Sequence, residues 1–141
     1  MMEISKMNIE DYEEIISLWQ SIEGAAIHDN SDSKTITKLY LQRNPGLSFV
    51  AHDNGKLVGA VLCGHEGRRG YLNHLAVAKN YRNCGIGTAL VDKVIDKLRM
   101  IGIRKCIGFV LVDNTDGSGF WKHLGWSEQE DLKVFSKSIT L

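Results

Sequence analysis

The sequence predicts an α/β domain with a mixed sheet, and three observations lead to this prediction. A buried strand at 71–77 precedes a polar turn and a long helix, in which apolar residues recur every three or four positions from Leu90 to Ile101. A hairpin is predicted at 47–64, where Asn54-Gly55 separates two apolar runs. Another apolar strand at 105–112 follows the helix, so strand, helix and strand form a βαβ unit.

Two further amphipathic helices are predicted before the hairpin. Asn8 has the residue type of an N-cap, and Asp11 stands three positions later, as in the capping box of a helix over 9–19. Ser33 is the predicted N-cap of a second helix that extends to about residue 43. The residues of this second helix expected to face the core are Ile36, Leu39 and Tyr40.

Weaker signals lie near the two ends of the chain. A short first strand is expected at 3–6, and a final strand is expected at 133–136. Residues 120–126 have the pattern of a short helix that stops at Gly125. These elements complete the α/β pattern without an internal repeat or a linker.

Length and composition limit the classes of function. The 141 residues are predicted to form one domain over 1–141, and the 17 basic and 17 acidic residues cancel. This balance gives no global reason to expect a nucleic acid or a membrane surface as partner. The three cysteines form neither a zinc pattern nor a disulfide framework, and Cys63 and Cys106 are interpreted as small core residues. Because no signal peptide or membrane span is recognisable, a cytoplasmic protein is the expectation.

The turn between the central strand and the long helix has the character of an anion site. The first N–H groups of a helix lack partners inside it, and the helix dipole is positive there. Gly85 and Gly87 leave those groups accessible to a phosphate, and Arg82 adds a guanidinium. The alternative is a tight turn with packing glycines and a solvated arginine. Neither a Walker loop nor the dinucleotide fingerprint fits, since Leu90 stands where the third glycine should be.

The segment Arg82-Asn83-Cys84-Gly85-Ile86-Gly87 resembles motif A of the GNAT acetyltransferase superfamily, Arg/Gln-x-x-Gly-x-Gly/Ala. The flanking Leu75-Ala76-Val77 and Thr88-Ala89-Leu90 are also similar to that family. Asn114 and the ending Phe120-Trp121-Lys122-His123-Leu124-Gly125-Trp126 extend the resemblance over nearly the whole chain. The resemblance implies a twisted, mostly antiparallel sheet with flanking helices, whose two central parallel strands splay apart.

The same resemblance implies acetyl-CoA as cosubstrate. Its pantetheine arm is expected between the splayed strands, where main-chain groups find amide partners as in strand addition. Its diphosphate is expected on the N–H groups that precede and open the long helix. The expected cofactor-binding residues are Leu75, Ala76, Val77, Arg82, Asn83, Cys84, Gly85, Ile86, Gly87, Thr88, Asn114 and Trp121.

Acetyl transfer to an amine needs a polarised thioester carbonyl, an amine that loses its proton, and a departing thiolate. The N–H of Val77 or its neighbour is the expected oxyanion donor. Candidate bases are Glu66, Asn73 as a water-orienting group only, and His74, which could instead be buried against a helix. Trp121 stands where the family commonly has a tyrosine proposed as acid, and an indole cannot deliver a proton.

Tyr71, Tyr81 or water must therefore act as the acid, or no acid is used. Cys84 occupies a variable position of the motif and is expected to point outward, which favours direct transfer over a covalent intermediate.

The leading hypothesis is an acetyl-CoA-dependent N-acetyltransferase acting on a primary amine of a small molecule or peptide. A non-catalytic acyl-CoA-binding domain is the alternative, consistent with the missing tyrosine. A nucleotide-binding regulator is a third hypothesis, which the absent fingerprints disfavour. The acceptor pocket is expected between 19–43, the loop at 64–70 and the last strands, with Glu23, Asp29 and Asp32 on one side and Arg68 and Arg69 on another. The two arginines either read an acidic acceptor or are solvated. A homodimer is the expected assembly, and no metal is expected.

Overall fold

The computed structural model describes residues 2–22, 32–110 and 115–140. The strands are β1 (Met2–Lys6), β2 (Phe49–Asp53), β3 (Lys56–His65), β4 (Gly70–Val77) and β5 (Cys106–Gly108). The α-helices are α1 (Tyr12–Gln20), α2 (Lys34–Arg43), α3 (Ile86–Met100) and α4 (Thr115–His123). Short 3-10 turns at Ile9–Asp11 and Lys79–Tyr81 precede α1 and α3.

The sheet has the order β1-β2-β3-β4-β5 within the described ranges. Neighbouring strands are antiparallel except β4 and β5, which are parallel and joined through α3. This arrangement confirms the predicted mixed, mostly antiparallel α/β fold. The β4–β5 ladder runs only from Gly70↔Cys106 to Leu72↔Gly108 in the described part of the chain, whereas β4 continues to Val77. Beyond Leu72, this edge of residues 73–77 has no β5 partner among the described residues, and in that sense it is open.

Each face of the sheet has its own apolar core. On one face, α3 packs through Leu90, Val94 and Leu98 against a cluster that includes Leu72. On the other face, α1 packs through Ile15 and the fully buried Trp19. Cys63 is buried in the first cluster and Cys106 packs against it, which confirms that both are small core residues. The described helices include none that is long and apolar enough to cross a membrane.

Local turn signals of the sequence are confirmed in the fold. Asn54 and Gly55 both have positive φ, at 51° and 85°, as the predicted two-residue hairpin turn requires. At the N-cap of the first helical segment, the Asn8 N–H donates to Asp11 Oδ2 at 3.1 Å, which completes the predicted capping box. At the far end of α3, Gly102 has a φ of 84° and stops the helix.

The inward face of α2 differs from the prediction. Ser33 Oγ accepts from the Ile36 N–H at 3.2 Å, so the predicted cap is confirmed. Ile36 and Leu39, however, are 43% and 56% exposed, and the prediction that they face the core is wrong. Thr37 is buried, and the half-buried Tyr40 and Leu41 pack against the core, so the helix packs through a stripe that leaves out Ile36 and Leu39. The prediction for Tyr40 is confirmed.

The C-terminal part of the chain departs most from the sequence prediction. Strand β5 covers three residues, Cys106–Gly108, rather than all of 105–112, of which residues 111 and 112 lie outside the described ranges. Residues 133–136 form no strand, and Val134 and Phe135 are 78% and 90% exposed, so the predicted final strand is wrong. A strand needs a partner, and β-prone composition does not supply one.

Candidate functional site

A β-bulge in β4 organises the polar side of the candidate site. The β3–β4 register passes from Leu62↔His74 to Cys63↔Leu72, so Asn73 is one residue more than β3 can pair. Leu72 consequently packs on the α3 side, while Asn73 and His74 both contact side chains of α1 or α2. Two of the three candidate catalytic groups are thereby brought to the same face of the sheet.

His74 lies half-buried between α1 and the segment that precedes α2. Its ring stacks on Trp19 with centroids 4.1 Å apart and an interplanar angle of 28°. Its Nε2 lies 3.0 Å from Asp32 Oδ1, and both side chains are 14% exposed. The Tyr12 hydroxyl donates to the Asp32 carbonyl oxygen at 2.6 Å. His74 is thus packed against a helix and still holds a polar contact, so both sequence interpretations describe part of its environment.

Asn73 is held by a tyrosine from α2. Its Nδ2 donates to the Tyr40 hydroxyl at 2.7 Å. The Tyr40 ring lies directly over Gly64 of β3, where any Cβ would overlap the hydroxyl. Burial raises the pKa of Tyr40, so the hydroxyl stays protonated at neutral pH. Asn73 is a neutral, positioned amide whose water-orienting role stays a prediction.

Glu66 lies away from these groups. Its carboxylate accepts from Arg68 Nη2 at 2.9 Å and from Arg68 Nε at 3.1 Å, and Arg69 Nη1 is 3.9 Å away. The hydrogen bonds from Arg68 lower the pKa of Glu66 to about 2, which makes the carboxylate a weak base. His65, the residue before it, pairs with Gly70, and four residues of extended strand, about 13 Å, separate Gly70 from His74. The structure does not bring Glu66 beside His74.

The start of α3 has the backbone geometry of an anion site. Asn83 and Gly85 have φ values of 62° and 83°, and such left-handed residues turn successive N–H groups toward one side. No side chain in the described ranges caps this helix end. Its first N–H groups therefore lack acceptors within the helix. A Cβ at Gly85 would meet no described atom within 4 Å, so the space before the helix is open.

Arg82 and Gly87 connect this helix start to the end of β4. Arg82 is exposed, and its Nε donates to the Val77 carbonyl oxygen at 3.3 Å, which holds the guanidinium between strand and helix. A Cβ at Gly87 would come within 3.2 Å of Phe120 Cζ and 3.8 Å of Val77 Cγ2. Gly87 therefore permits close packing, as the structural alternative expected, whereas Gly85 faces open space.

Trp121 covers the point where β4 and β5 separate. Its ring lies 4.6 Å from that of Trp126, and a Cβ at Gly108 would be 3.9 Å from its Cζ2. Gly108 is the last residue of β5 that pairs with β4. Tyr81, one of the alternative acids, instead donates its hydroxyl to Asp53 Oδ2 at 2.9 Å, a contact that raises the pKa of Tyr81. The predicted contact residue Asn114 lies outside the described ranges.

Cys84 is exposed in the turn that precedes α3. Its Sγ donates a hydrogen bond to the Arg82 carbonyl oxygen at 3.5 Å within the described part of the chain. The described structure gives it no base, which agrees with the expectation that it points outward.

The parts of the site fit an extended ligand with an anionic end. The open edge of β4 can pair with amide groups, and the uncapped helix start with Arg82 lies just beyond Val77. His74 is three residues, or about 10 Å, before Val77 along the strand. No three His, Cys, Asp or Glu side chains of the described residues could jointly hold a metal ion.

Asp32, Trp19 and Tyr40 lie within the acceptor region predicted at 19–43, but the sequence predicted no contact between them and a candidate catalytic residue. Asp32 and His74 are 42 positions apart, and a contact over that separation depends on the tertiary fold. A local pattern signals neither the pair nor the bulge that presents His74. The cap at Ser33 is the nearest sequence signal, because it places Asp32 at the entrance of α2.

Comparisons with known proteins agree with this geometry. A family model described as the acetyltransferase (GNAT) family matches residues 10–126. An acetyltransferase from Yersinia pestis (strain Pestoides F) is 30% identical over 138 residues, covering 98% of this chain and 96% of the relative. The PaiA N-acetyltransferase of Thermoplasma acidophilum, solved with coenzyme A, superposes with a TM-score of 0.75 at 23% identity, covering 88% of each chain. AAC(6')-Iy, solved with a CoA–acetylneamine bisubstrate analogue, gives a TM-score of 0.78 at 20% identity over 99% of each chain.

Proposed function

This chain belongs to the GNAT acetyltransferase family, and we propose that it transfers the acetyl group of acetyl-CoA directly to a primary amine of a small molecule or peptide. Family membership makes it an acyltransferase with acetyl-CoA as cosubstrate. One observation carries the proposal for the site. The open edge of β4 runs from a bulge that presents His74 to an uncapped helix start bearing Arg82.

Acetyl-CoA supplies an electrophilic thioester carbonyl and an anionic diphosphate. We assign the diphosphate to Arg82 and to the N–H groups of the turn and first turn of α3, and the pantetheine arm to the open edge of β4. The helix start offers positive dipole, accessible amides and a guanidinium, which together favour a dianionic group. The residues proposed to line this site are Leu75, Ala76, Val77, Arg82, Asn83, Cys84, Gly85, Ile86, Gly87, Thr88, Asn114 and Trp121.

His74 is the proposed general base for the acceptor amine. It is the imidazole on β4, and imidazole is the side chain best suited to exchange protons near neutral pH. Asn73 lies beside it on the same face and is proposed to orient water or the acceptor. A main-chain N–H at Val77 or its neighbour is the proposed oxyanion donor. Glu66 is the weaker candidate, because its pKa of about 2 makes it a poor proton acceptor.

The leaving thiolate does not require a side-chain acid in this proposal. A thiol with a pKa of about 8.5 can leave without full protonation. Trp121 packs at the strand separation and can hydrogen-bond but not protonate the sulfur. Exposed Cys84 has no described base beside it, which supports transfer without an acyl-enzyme.

The acceptor pocket is proposed on the α1–α2 side of β4, where Asn73 and His74 point. One structural neighbour, the aminoglycoside N-acetyltransferase AAC(6')-Iy, was solved with a CoA–acetylneamine bisubstrate analogue, which supports a small molecule with several amines as a candidate acceptor. Peptide amines are the other candidate class. We further propose that residues 1–141 form one acetyltransferase domain, that the protein acts in the cytoplasm, and that it assembles as a homodimer. Neither nucleic acid nor membrane is included among its proposed partners.

Thiol release from acetyl-CoA, measured against polyamines, amino acids, aminoglycosides and N-terminal peptides, tests the proposed function. We expect turnover with at least one class of acceptor.

His74→Gln should lower kcat by about 10²-fold or more through loss of the base. His52→Gln, in β2, is the matched control and should retain activity. Binding of acetyl-CoA without thiol release in any arm would instead favour the non-catalytic acyl-CoA-binding alternative.

A further inference from the structure

The imidazole of His74 is fixed by two independent contacts. Stacking on Trp19, which is fully buried, sets the plane of the ring. The 3.0 Å contact between Nε2 and Asp32 Oδ1 then sets the rotation of the ring within that plane. With both side chains 14% exposed, the pair lies largely out of water, where a charge-assisted hydrogen bond is stronger than at the surface.

The carboxylate is itself anchored through the main chain. The Tyr12 hydroxyl of α1 donates to the Asp32 carbonyl oxygen at 2.6 Å, and Ser33 caps α2 immediately after it. Lys34 of α2 adds an exposed pair with Glu13 of α1 at 2.9 Å. These contacts do not use the Asp32 carboxylate. The side chain of Asp32 can therefore be changed while its backbone position is kept.

The chemistry of this contact selects one tautomer of His74. An ionised carboxylate only accepts hydrogen bonds, so the nitrogen that faces it must carry the proton. With Asp32 ionised, this contact places the N–H of a neutral ring on Nε2 and the lone pair on Nδ1. No hydrogen bond of Nδ1 is found within the described residues. Nδ1 thus has no described group competing for its lone pair.

We propose that Asp32 is a positioning residue that holds His74 as the Nε2–H tautomer, so that Nδ1 is the nitrogen that takes the proton from the acceptor amine. This inference rests on the proposed function. In the step, the amine nitrogen bonds to the acetyl carbon and its proton goes to Nδ1. The C–S bond breaks with its electron pair on sulfur. The imidazolium that forms stays paired with the Asp32 carboxylate, which stabilises the new positive charge.

A purely structural role for the pair is the competing explanation. It predicts that loss of the carboxylate lowers stability without selecting a ring nitrogen. An asparagine at position 32 separates the two explanations, because its amide can donate to Nε2 and so favour the opposite tautomer. In serine proteases the equivalent exchange beside a catalytic histidine leaves geometry intact and lowers kcat about 10⁴-fold.

The experiment joins ¹⁵N NMR of the His74 ring with steady-state kinetics on the full chain. In the wild type we expect a protonated Nε2 and an unprotonated Nδ1 in the neutral ring. Asp32→Asn should shift the ring toward Nδ1–H and lower kcat by about 10²- to 10⁴-fold, with the KM for acetyl-CoA changed less than about threefold. Asp32→Glu should restore part of kcat. Asp96→Asn is the matched control, because it makes the same exchange in an exposed pair with Arg99 on α3, away from His74.

An Nδ1–H tautomer in the wild type would overturn the proposal, even if Asp32→Asn failed to fold. Unchanged kcat in a folded Asp32→Asn variant, or an equal loss in Asp96→Asn, would overturn it as well. The NMR arm does not depend on turnover. If no amine accepts acetyl from the wild type, the proposed function fails, while the tautomer still supports or overturns the role of Asp32 in orienting the ring.

Discussion

Arg82 is one of two charged side chains between the end of β4 and the start of α3, the other being Lys79. Arg82 Nε donates to the Val77 carbonyl oxygen at 3.3 Å, which keeps the guanidinium near the end of β4, four residues before the uncapped start of α3. A hydrogen bond to a charged group contributes about 1.5–3 kcal/mol. We therefore expect Arg82→Gln to weaken acetyl-CoA binding by roughly tenfold or more, as measured by isothermal titration calorimetry.

Arg99→Gln is the matched control for that measurement. Arg99 lies in the last turn of the same helix and pairs with Asp96 at 3.0 Å. Its replacement removes the same positive charge as Arg82→Gln, but at the C-terminal end of α3, away from the proposed diphosphate site. Equal weakening by both substitutions would show that Arg82 acts only through general charge.

Glu66 gives a pH dependence with a defined sign. Arg68 lowers the pKa of the folded carboxyl from 4.5 to about 2. The unfolded state therefore binds the proton more readily, and the contribution of Glu66 is present above about 4.5 and is lost as the pH falls toward 2. Because the pair is exposed, we expect a small effect. Urea unfolding should show a difference between wild type and Glu66→Gln at about pH 7 that shrinks by about pH 3. A difference that grows on acidification would contradict this assignment.

The roles of residues that act within a few positions of themselves could be predicted from the sequence. The roles of residues whose partner is distant along the chain could not. Asn54 and Gly55 need positive φ, and Asn8 and Ser33 satisfy nearby N–H groups, so each role is encoded within a few positions. Asp32 has no such local signature. Its role depends on the fold bringing β4 against the start of α2.

At the scale of elements, Gly64 allows α2 to approach the sheet. A Cβ there would overlap the Tyr40 hydroxyl and come within 2.9 Å of Asn44 Cγ. Gly64→Ala should therefore lower the free energy of unfolding by about 1–3 kcal/mol through overpacking. It should also disturb the Tyr40–Asn73 hydrogen bond. Urea denaturation measures the first effect, and the Asn73 side-chain NMR resonances report the second.

Gly119→Ala is the matched control, since a Cβ at this interior position of α4 meets no described atom within 4 Å. Because alanine favours the helix more than glycine does, this substitution should raise the free energy of unfolding by about 0.5–1 kcal/mol. This change is opposite in sign to that expected for Gly64→Ala. A Gly64→Ala variant as stable as the wild type would contradict the close approach of α2.

Elements with strong periodicity were predictable, and elements defined by a partner were not. Helix α3 and the hairpin have long apolar patterns and glycine-marked ends, and both are confirmed. The side of α2 that packs on the sheet is set by Tyr40, whose ring fits over Gly64. Ile36 and Leu39 are therefore exposed, although their apolar character predicts burial. The bulge in β4 is a property of the register with β3, so Asn73 and His74 could not be assigned to one face from strand alternation.

At the scale of the whole molecule, the exposed tail after α4 is where the homodimer proposal can be tested. Phe135 is 90% exposed and Ile139 is 82% exposed, in a segment without regular structure. Burying a phenylalanine contributes about 1.5–3 kcal/mol, or roughly 10- to 100-fold in a dissociation constant. Phe135→Ser should thus weaken dimerisation by that factor in analytical ultracentrifugation. Lys137→Ser, two positions later, should not. Equal association of Phe135→Ser and the wild type would exclude the tail as the interface.

The account depends most on where acetyl-CoA binds. The direct measurement is a titration of the ¹⁵N-labelled chain with acetyl-CoA, followed through its backbone amide resonances. Saturable shifts are expected to be largest in two stretches, residues 82–88 at the start of α3 and residues 73–77 along the open edge of β4. Saturable binding that shifts amides elsewhere and leaves both stretches unchanged would contradict the central claim.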